Sequence, residues 1–189
     1  MGELRSKKTM IQLARTSVLL ALALVFQIGF NQFGPTVVGP LVNMTLLIAA
    51  AVVGSTSAIL IGCLTPLMAF VLGVSSFVPV IPFIMVGNAI WILVFNGIRK
   101  HVKTYGDIIG MLVAAVAKFG FLAISIRYIV TLFVDTIKPP VVVLFTFPQL
   151  TSALIGGTLA IIITHYLRNY IKARSEERRV GKECRSRWS

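Results

Sequence analysis

Six apolar stretches follow one another along this chain, separated by short polar links: about Met10 to Gly29, Leu41 to Val53, Ala58 to Leu72, Val80 to Ile98, Ile108 to Val134 and Pro148 to Leu167. Roughly 20 apolar residues are what a helix needs to cross the ~30 Å hydrocarbon core of a bilayer. Backbone groups find no water there, so only helices or a closed barrel satisfy them, and continuous runs without alternation select helices. With 57% hydrophobic and 13% charged residues, the 189-residue chain carries more apolar surface than a soluble core absorbs. The sequence predicts an all-α integral membrane protein, a six-transmembrane-helix bundle occupying residues 1–174 as one domain.

The second and third stretches are short, and Gly54-Ser55-Thr56-Ser57 between them predicts a tight helical hairpin. Pro66 and Gly120 are candidate bends, whereas Pro79, Pro82 and Pro148 stand near helix starts, where a missing N–H does no harm. A net charge of +12 would suit a nucleic-acid binder only if the bases shared one face. Here they gather in clusters between apolar runs, a pattern of membrane topology, and no nucleic-acid partner is expected. Arg5, Lys7, Lys8 and Arg15 precede or begin the first span, Arg99, Lys100 and Lys103 follow the fourth, and Arg168, Lys172 and Arg174 follow the sixth. With six crossings all three clusters fall on one side, which the positive-inside tendency assigns to the cytoplasm, so both termini are predicted cytoplasmic. The opposite loops, Asn31 to Pro40, Gly73 to Pro79 and Asp135 to Phe147, hold a single acid, Asp135, and a single base, Lys138.

From Ser175 the composition changes abruptly to SEERRVGKECRSRWS. Residues 175–189 read as an appended or disordered charged tail, with a native cytoplasmic tail as the alternative. Cys63 and Cys184 have no partner or metal-ligand spacing and read as free thiols.

Enzyme chemistry finds no footing. Before the tail the acids are Glu3, Asp107 and Asp135, which cannot form an intramembrane pair, and His101 and His165 lack a Ser or Cys motif to complete a hydrolytic site. There is no GxxxxGK[ST] loop, so any ATP dependence requires a partner, and no cofactor is expected.

What remains is polar side chains within apolar helices. Counting inward from Val80 puts Asn88 ~12 Å below the outer end, and counting back from Val134 puts Arg127 at ~10 Å, at ~1.5 Å per residue. Gln27, Asn43 and Gln149, near the outer ends of the first, second and sixth spans, are expected to join them in an outward-facing polar pocket. Each amide taken singly is better read as interhelical glue, since such contacts typically contribute only about 0.6 kcal/mol. A cation in a span is costlier, at least ~2.5 kcal/mol on insertion scales, and faces a cavity, a partner or, by snorkelling, an interface. Arg127 is poised between ligand contact and outward snorkelling. Lys118, about 24 Å from the outer end of its span, is expected to snorkel towards the cytoplasm, with substrate contact the lesser reading. Trp91 is read chiefly as packing, and Tyr128 as pocket wall or interface anchor. Arg127, with Asn88 and Gln149 beside it, predicts an anionic or strongly accepting solute.

The ordered series ARTSVLLALALVFQ, GPLVNMTLLIAAAVVGSTSAILIGCLTPLMAF, PVIPFIMVGNAIWILVF and PQLTSALIGG resembles the substrate-binding S components of energy-coupling factor (ECF) transporters across about Lys7 to Arg174. The resemblance implies a bacterial plasma-membrane protein that captures a vitamin or related micronutrient from outside. It further implies a transmembrane coupling subunit and two ATPase subunits as partners that drive release inside. Members dock through Ala-x-x-x-Ala on helix 1; the matching spacing here is Ser17-x-x-x-Ala21, with Ala14 and Ala23 as alternatives. Nickel and cobalt members share an N-terminal histidine motif, absent from a chain whose first histidine is His101, so a metal substrate is disfavoured. The competing readings are a nontransporting membrane scaffold of the cell-shape type and an independent small-solute carrier.

Overall fold

The computed structural model describes residues 2–73, 78–102, 105–130 and 139–186, with side chains described for 6–7, 9–73, 79–102, 105–128 and 147–170. Six α-helices are present among the described residues: α1 Gly2–Gly29, α2 Pro35–Val52, α3 Ser55–Val71, α4 Ile81–His101, α5 Gly106–Ile124 and α6 Pro139–Ser186. Short 3₁₀ turns, Asn31–Phe33 and Val78–Val80, precede α2 and α4, and α5 runs into a π-helical turn, Ser125–Val130. By length and hydropathy, Thr9–Gly29, Pro35–Val52, Ile81–His101, Gly106–Tyr128 and Phe147–Tyr170 are each long and apolar enough to cross a bilayer, and Ser55–Val71 is a shorter apolar helix. The chain is a membrane helical bundle.

Local chemistry explains the boundaries. Gly34, at φ 78°, turns the chain so that Pro35 opens α2, where its fixed φ suits the first helical turn. This starts α2 six residues ahead of the Leu41 expected from apolarity, with Pro40 tolerated inside the helix. Gly54, at φ 130°, reverses the chain between α2 and α3, and its N–H and that of Val53 both donate to the Ala49 carbonyl. A side chain is strained at that φ, so the hairpin depends on glycine. The predicted outer loop from Asp135 to Phe147 is corrected in part: α6 already runs from Pro139, and Pro148 lies inside it rather than at its start, at the loss of one backbone hydrogen bond. At ~1.5 Å per residue its 48 residues extend ~70 Å, well beyond a bilayer core. Asp135 and Lys138, and the expected end of the fifth span at Val134, lie outside the described residues.

One end of the bundle is basic. Arg99 meets Asp107 at 2.7 Å across the α4–α5 turn, and Arg168 approaches the same carboxylate at 3.5 Å. Gln12 of α1 donates to Ser57 of α3 at this end. α1 is the least enclosed span, with only 6% of its apolar window buried, whereas half of the α2 window is buried. Glycines set the closest crossings. A Cβ at Gly156 of α6 would run into the Pro40 carbonyl oxygen and stand 3.0 Å from both Asn43 Cβ and Met44 N; one at Gly39 would stand 2.9 Å from Ser152 Cβ. Gly120 of α5 has nothing within 4 Å of the same position.

The two glycines separate packing from propensity. Gly156→Ala should destabilise the protein by about 1 to 3 kcal/mol through overpacking against backbone, while Gly120→Ala should be neutral or stabilise by up to about 1 kcal/mol. Thermal unfolding in detergent checks both; equal effects would place the α2–α6 contact elsewhere.

Candidate functional site

Pro66 lacks the N–H that would otherwise bond the carbonyl four residues back, so the Gly62 carbonyl in α3 is left without its helical donor. Asn88 of α4 takes that place: its Nδ2 donates to Gly62 O at 2.8 Å. Because Gly62 has no side chain, α4 can come close enough; a Cβ there would stand 3.1 Å from Asn88 Cβ. A carbonyl only accepts, so this bond fixes the amide orientation and turns Asn88 Oδ1 the other way. Opposite it lies Lys118 of α5, whose Nζ donates to Asn88 Oδ1 at 2.9 Å and to Asn43 Oδ1 of α2 at 2.7 Å.

Asn43 is oriented in a similar way. Its Nδ2 donates to Ser152 Oγ of α6 at 3.2 Å, and the Ser152 hydroxyl donates onward to the Gln149 carbonyl at 3.0 Å. Four helices therefore converge on a lysine that is only 2% exposed. The expected snorkelling of Lys118 towards the basic end does not occur, because two oriented amide oxygens meet its ammonium within the bundle. Both distances fall in the range of charge-assisted hydrogen bonds.

Beside this cluster is a cavity of about 150 Å³, lined by Lys118, Asn43, Asn88, Gln27 and Gln149, with apolar walls from residues such as Val42 and Ile84. It opens at the end opposite the Arg99–Asp107 pair. Gln27 Oε1 is buried without a hydrogen-bond partner among the described residues. Of the five polar residues expected around one pocket, all but Arg127 line this cavity, and Lys118 joins them.

Arg127, Tyr128 and Trp91 do not line it. Leu122, Ser125 and Ile126 form the buried face of this stretch, leaving Arg127 and Tyr128 exposed on the adjoining face. Trp91 is fully buried in the apolar core, its indole 3.3 Å from the position a Cβ of Gly157 would take. Sequence reasoning passed over Ser152 and the Gly62–Pro66 pair. A proline four residues after a glycine inside an apolar run was the available signal, since it frees a carbonyl and clears space around it.

A family model described as ECF transporter, substrate-specific component, matches residues 11–168. The chain belongs to this family. No curated protein and no solved structure matches it. As an ECF substrate-specific component it is a transporter subunit that binds a small molecule and works with partner ECF subunits.

The cluster should behave as a unit. Asn88→Leu should destabilise the protein by about 1.5 to 3 kcal/mol, because it leaves Lys118 short of an acceptor and Gly62 O short of a donor. Adding Lys118→Met to that variant should recover part of the loss, since replacing both partners removes the uncompensated charge. A thermal-unfolding double-mutant cycle measures this, and additive effects would refute the coupling.

Proposed function

We propose that this chain captures a vitamin or related micronutrient at the cavity end of the bundle, facing outside, for release inside by a transmembrane coupling subunit and two ATPase subunits. The observation that carries the reading is the cavity itself, with a buried lysine held by Asn43 and Asn88 and an unpartnered Gln27 oxygen beside it. Structural polar groups are normally satisfied by the protein; groups it leaves over inside an open cavity are available to water or to a ligand.

The proposed orientation is six crossings with both termini in the cytoplasm of a bacterial cell. Support comes from the gathering of Arg15, Arg99, Lys100 and Arg168 towards the end opposite the cavity, as positive-inside charge requires. The binding domain would comprise residues 1–174, with 175–189 as an appended tail that continues α6 as helix to Ser186 rather than being disordered throughout; the family match ends at residue 168.

For the coupling subunit we propose the outer face of α1, with Ser17 and Ala21 at its centre. Both are exposed, as is Ala14, whereas Ala23 is fully buried in the core, which favours the Ser17–Ala21 register over one that uses Ala23. Small residues four apart allow another helix backbone to approach closely.

Mass spectrometry of small molecules released from gently purified protein should find a vitamin-class solute in near-stoichiometric amount, and concentrative uptake should require the coupling and ATPase subunits. Uptake into vesicles by the chain alone would make it an independent carrier instead. Ser17→Leu combined with Ala21→Leu should reduce co-purification with the coupling subunit while solute binding persists, because branched side chains hold two backbones apart. Undiminished co-purification would reject this face.

A further inference from the structure

We infer that the cavity is built for a compact organic acid, with a carboxylate seated on Lys118, an apolar body, and an N–H or O–H donor directed at Gln27. The inference rests on reading the cavity as the capture site and adds the substrate's chemical class.

The ammonium group has three donor hydrogens. Two are committed to Asn43 Oδ1 and Asn88 Oδ1, and no protein acceptor among the described residues takes the third. The two amides cannot turn to offer nitrogen without giving up their bonds to Gly62 O and Ser152 Oγ. They therefore orient the ammonium without neutralising it. Asp107, the carboxylate among the described side chains, is engaged with Arg99 at the opposite end. A positive charge enclosed by low-dielectric walls favours an anion and repels a cation. A single free N–H suits one carboxylate better than a phosphate, which calls for several donors.

Gln27 Oε1 supplies the complementary requirement. Among the described residues no donor reaches this buried acceptor, so an N–H or O–H of a ligand there would take the place of water. Val38, Val42, Ile81 and Ile84 line the same cavity, which suits an apolar body. The volume of about 150 Å³ is below the roughly 300 Å³ at which pockets for drug-sized ligands begin. A single small ring or short chain fits; a fused multi-ring body does not.

Three probes of nearly equal shape test each contact on the full chain in lipid nanodiscs: 4-aminobenzoate has both ends, 4-aminobenzamide lacks the charge, and benzoate lacks the donor. Binding measured by thermal shift and calorimetry should be at least about tenfold tighter for 4-aminobenzoate than for either other probe, the usual effect of losing a charged or buried hydrogen bond. Lys118→Met should abolish the preference for acid over amide, and Gln27→Met the preference for the amino group. If Lys118→Met does not fold, the acid-to-amide comparison on unaltered protein decides. Equal or tighter binding of 4-aminobenzamide, or no binding by any probe, would overturn the inference. Either result leaves the capture reading standing if a non-acidic solute co-purifies; absence of both co-purified solute and uptake strikes the capture reading itself.

Discussion

A lysine ammonium within an apolar helix bundle is the constraint around which the rest is arranged. Such a cation costs at least ~2.5 kcal/mol on insertion scales unless oxygens meet it. Here the oxygens come from Asn43 and Asn88, on two other helices. Each amide is in turn held by a third group, the Gly62 carbonyl for Asn88 and the Ser152 hydroxyl for Asn43. The chain of dependence reaches back to Pro66, whose missing N–H releases the Gly62 carbonyl. A residue that weakens α3 as a helix thereby supplies the acceptor that positions a side chain of α4.

The same cluster dictates where the helices come closest. The three polar side chains around Lys118 each face a glycine on a neighbouring helix: Asn88 faces Gly62, Asn43 faces Gly156, and Ser152 faces Gly39. Amide side chains are short, so the backbones must approach closely for their bonds to form. Close backbone approach through small residues is also the main attraction between helices in lipid, where burying apolar surface gains little. Packing and polar satisfaction thus use the same positions, and α2, α3, α4, α5 and α6 are tied together at the cavity, whereas α1 remains the most open helix.

Part of this was legible in the sequence, because hydropathy and charge clusters mark the helices, counting placed Asn88 within the bundle, and Gln27, Asn43 and Gln149 fall near helix ends on the same side. The errors came from where counting began. Measured from an assumed end at Val134, Lys118 seemed to belong to the cytoplasmic half and Arg127 to the pocket. The short α4–α5 turn is the better origin, since Gly106 packs on Arg99 and Gly110 on Phe95. Continuing that antiparallel register brings Gly87 to Leu122 and Asn88 to Lys118. Rotation about the helix, which depth alone does not give, decides Arg127: with Ile126 on the buried face, its neighbour turns outward.

Two asparagines on one face of α4 separate structural from binding polarity. Asn96 donates to the Ser55 hydroxyl at 2.8 Å and to the Ala50 carbonyl at 3.4 Å, near the end of α2 where helical carbonyls lack their own donors. Nothing at Asn96 calls for a ligand, and its environment is that of interhelical glue. Asn88, eight residues earlier, belongs to a group that remains one acceptor short at Lys118 and has an unpartnered oxygen nearby at Gln27. Between the two levels lie Trp91 and Ile92, both fully buried in apolar core. The polar cluster beside the cavity is thus separated from the glue layer by packed side chains. Trp91 Nε1 is also buried without a partner among the described residues, so incomplete hydrogen bonding marks a site here only where, as at Gln27 and Lys118, it coincides with a cavity.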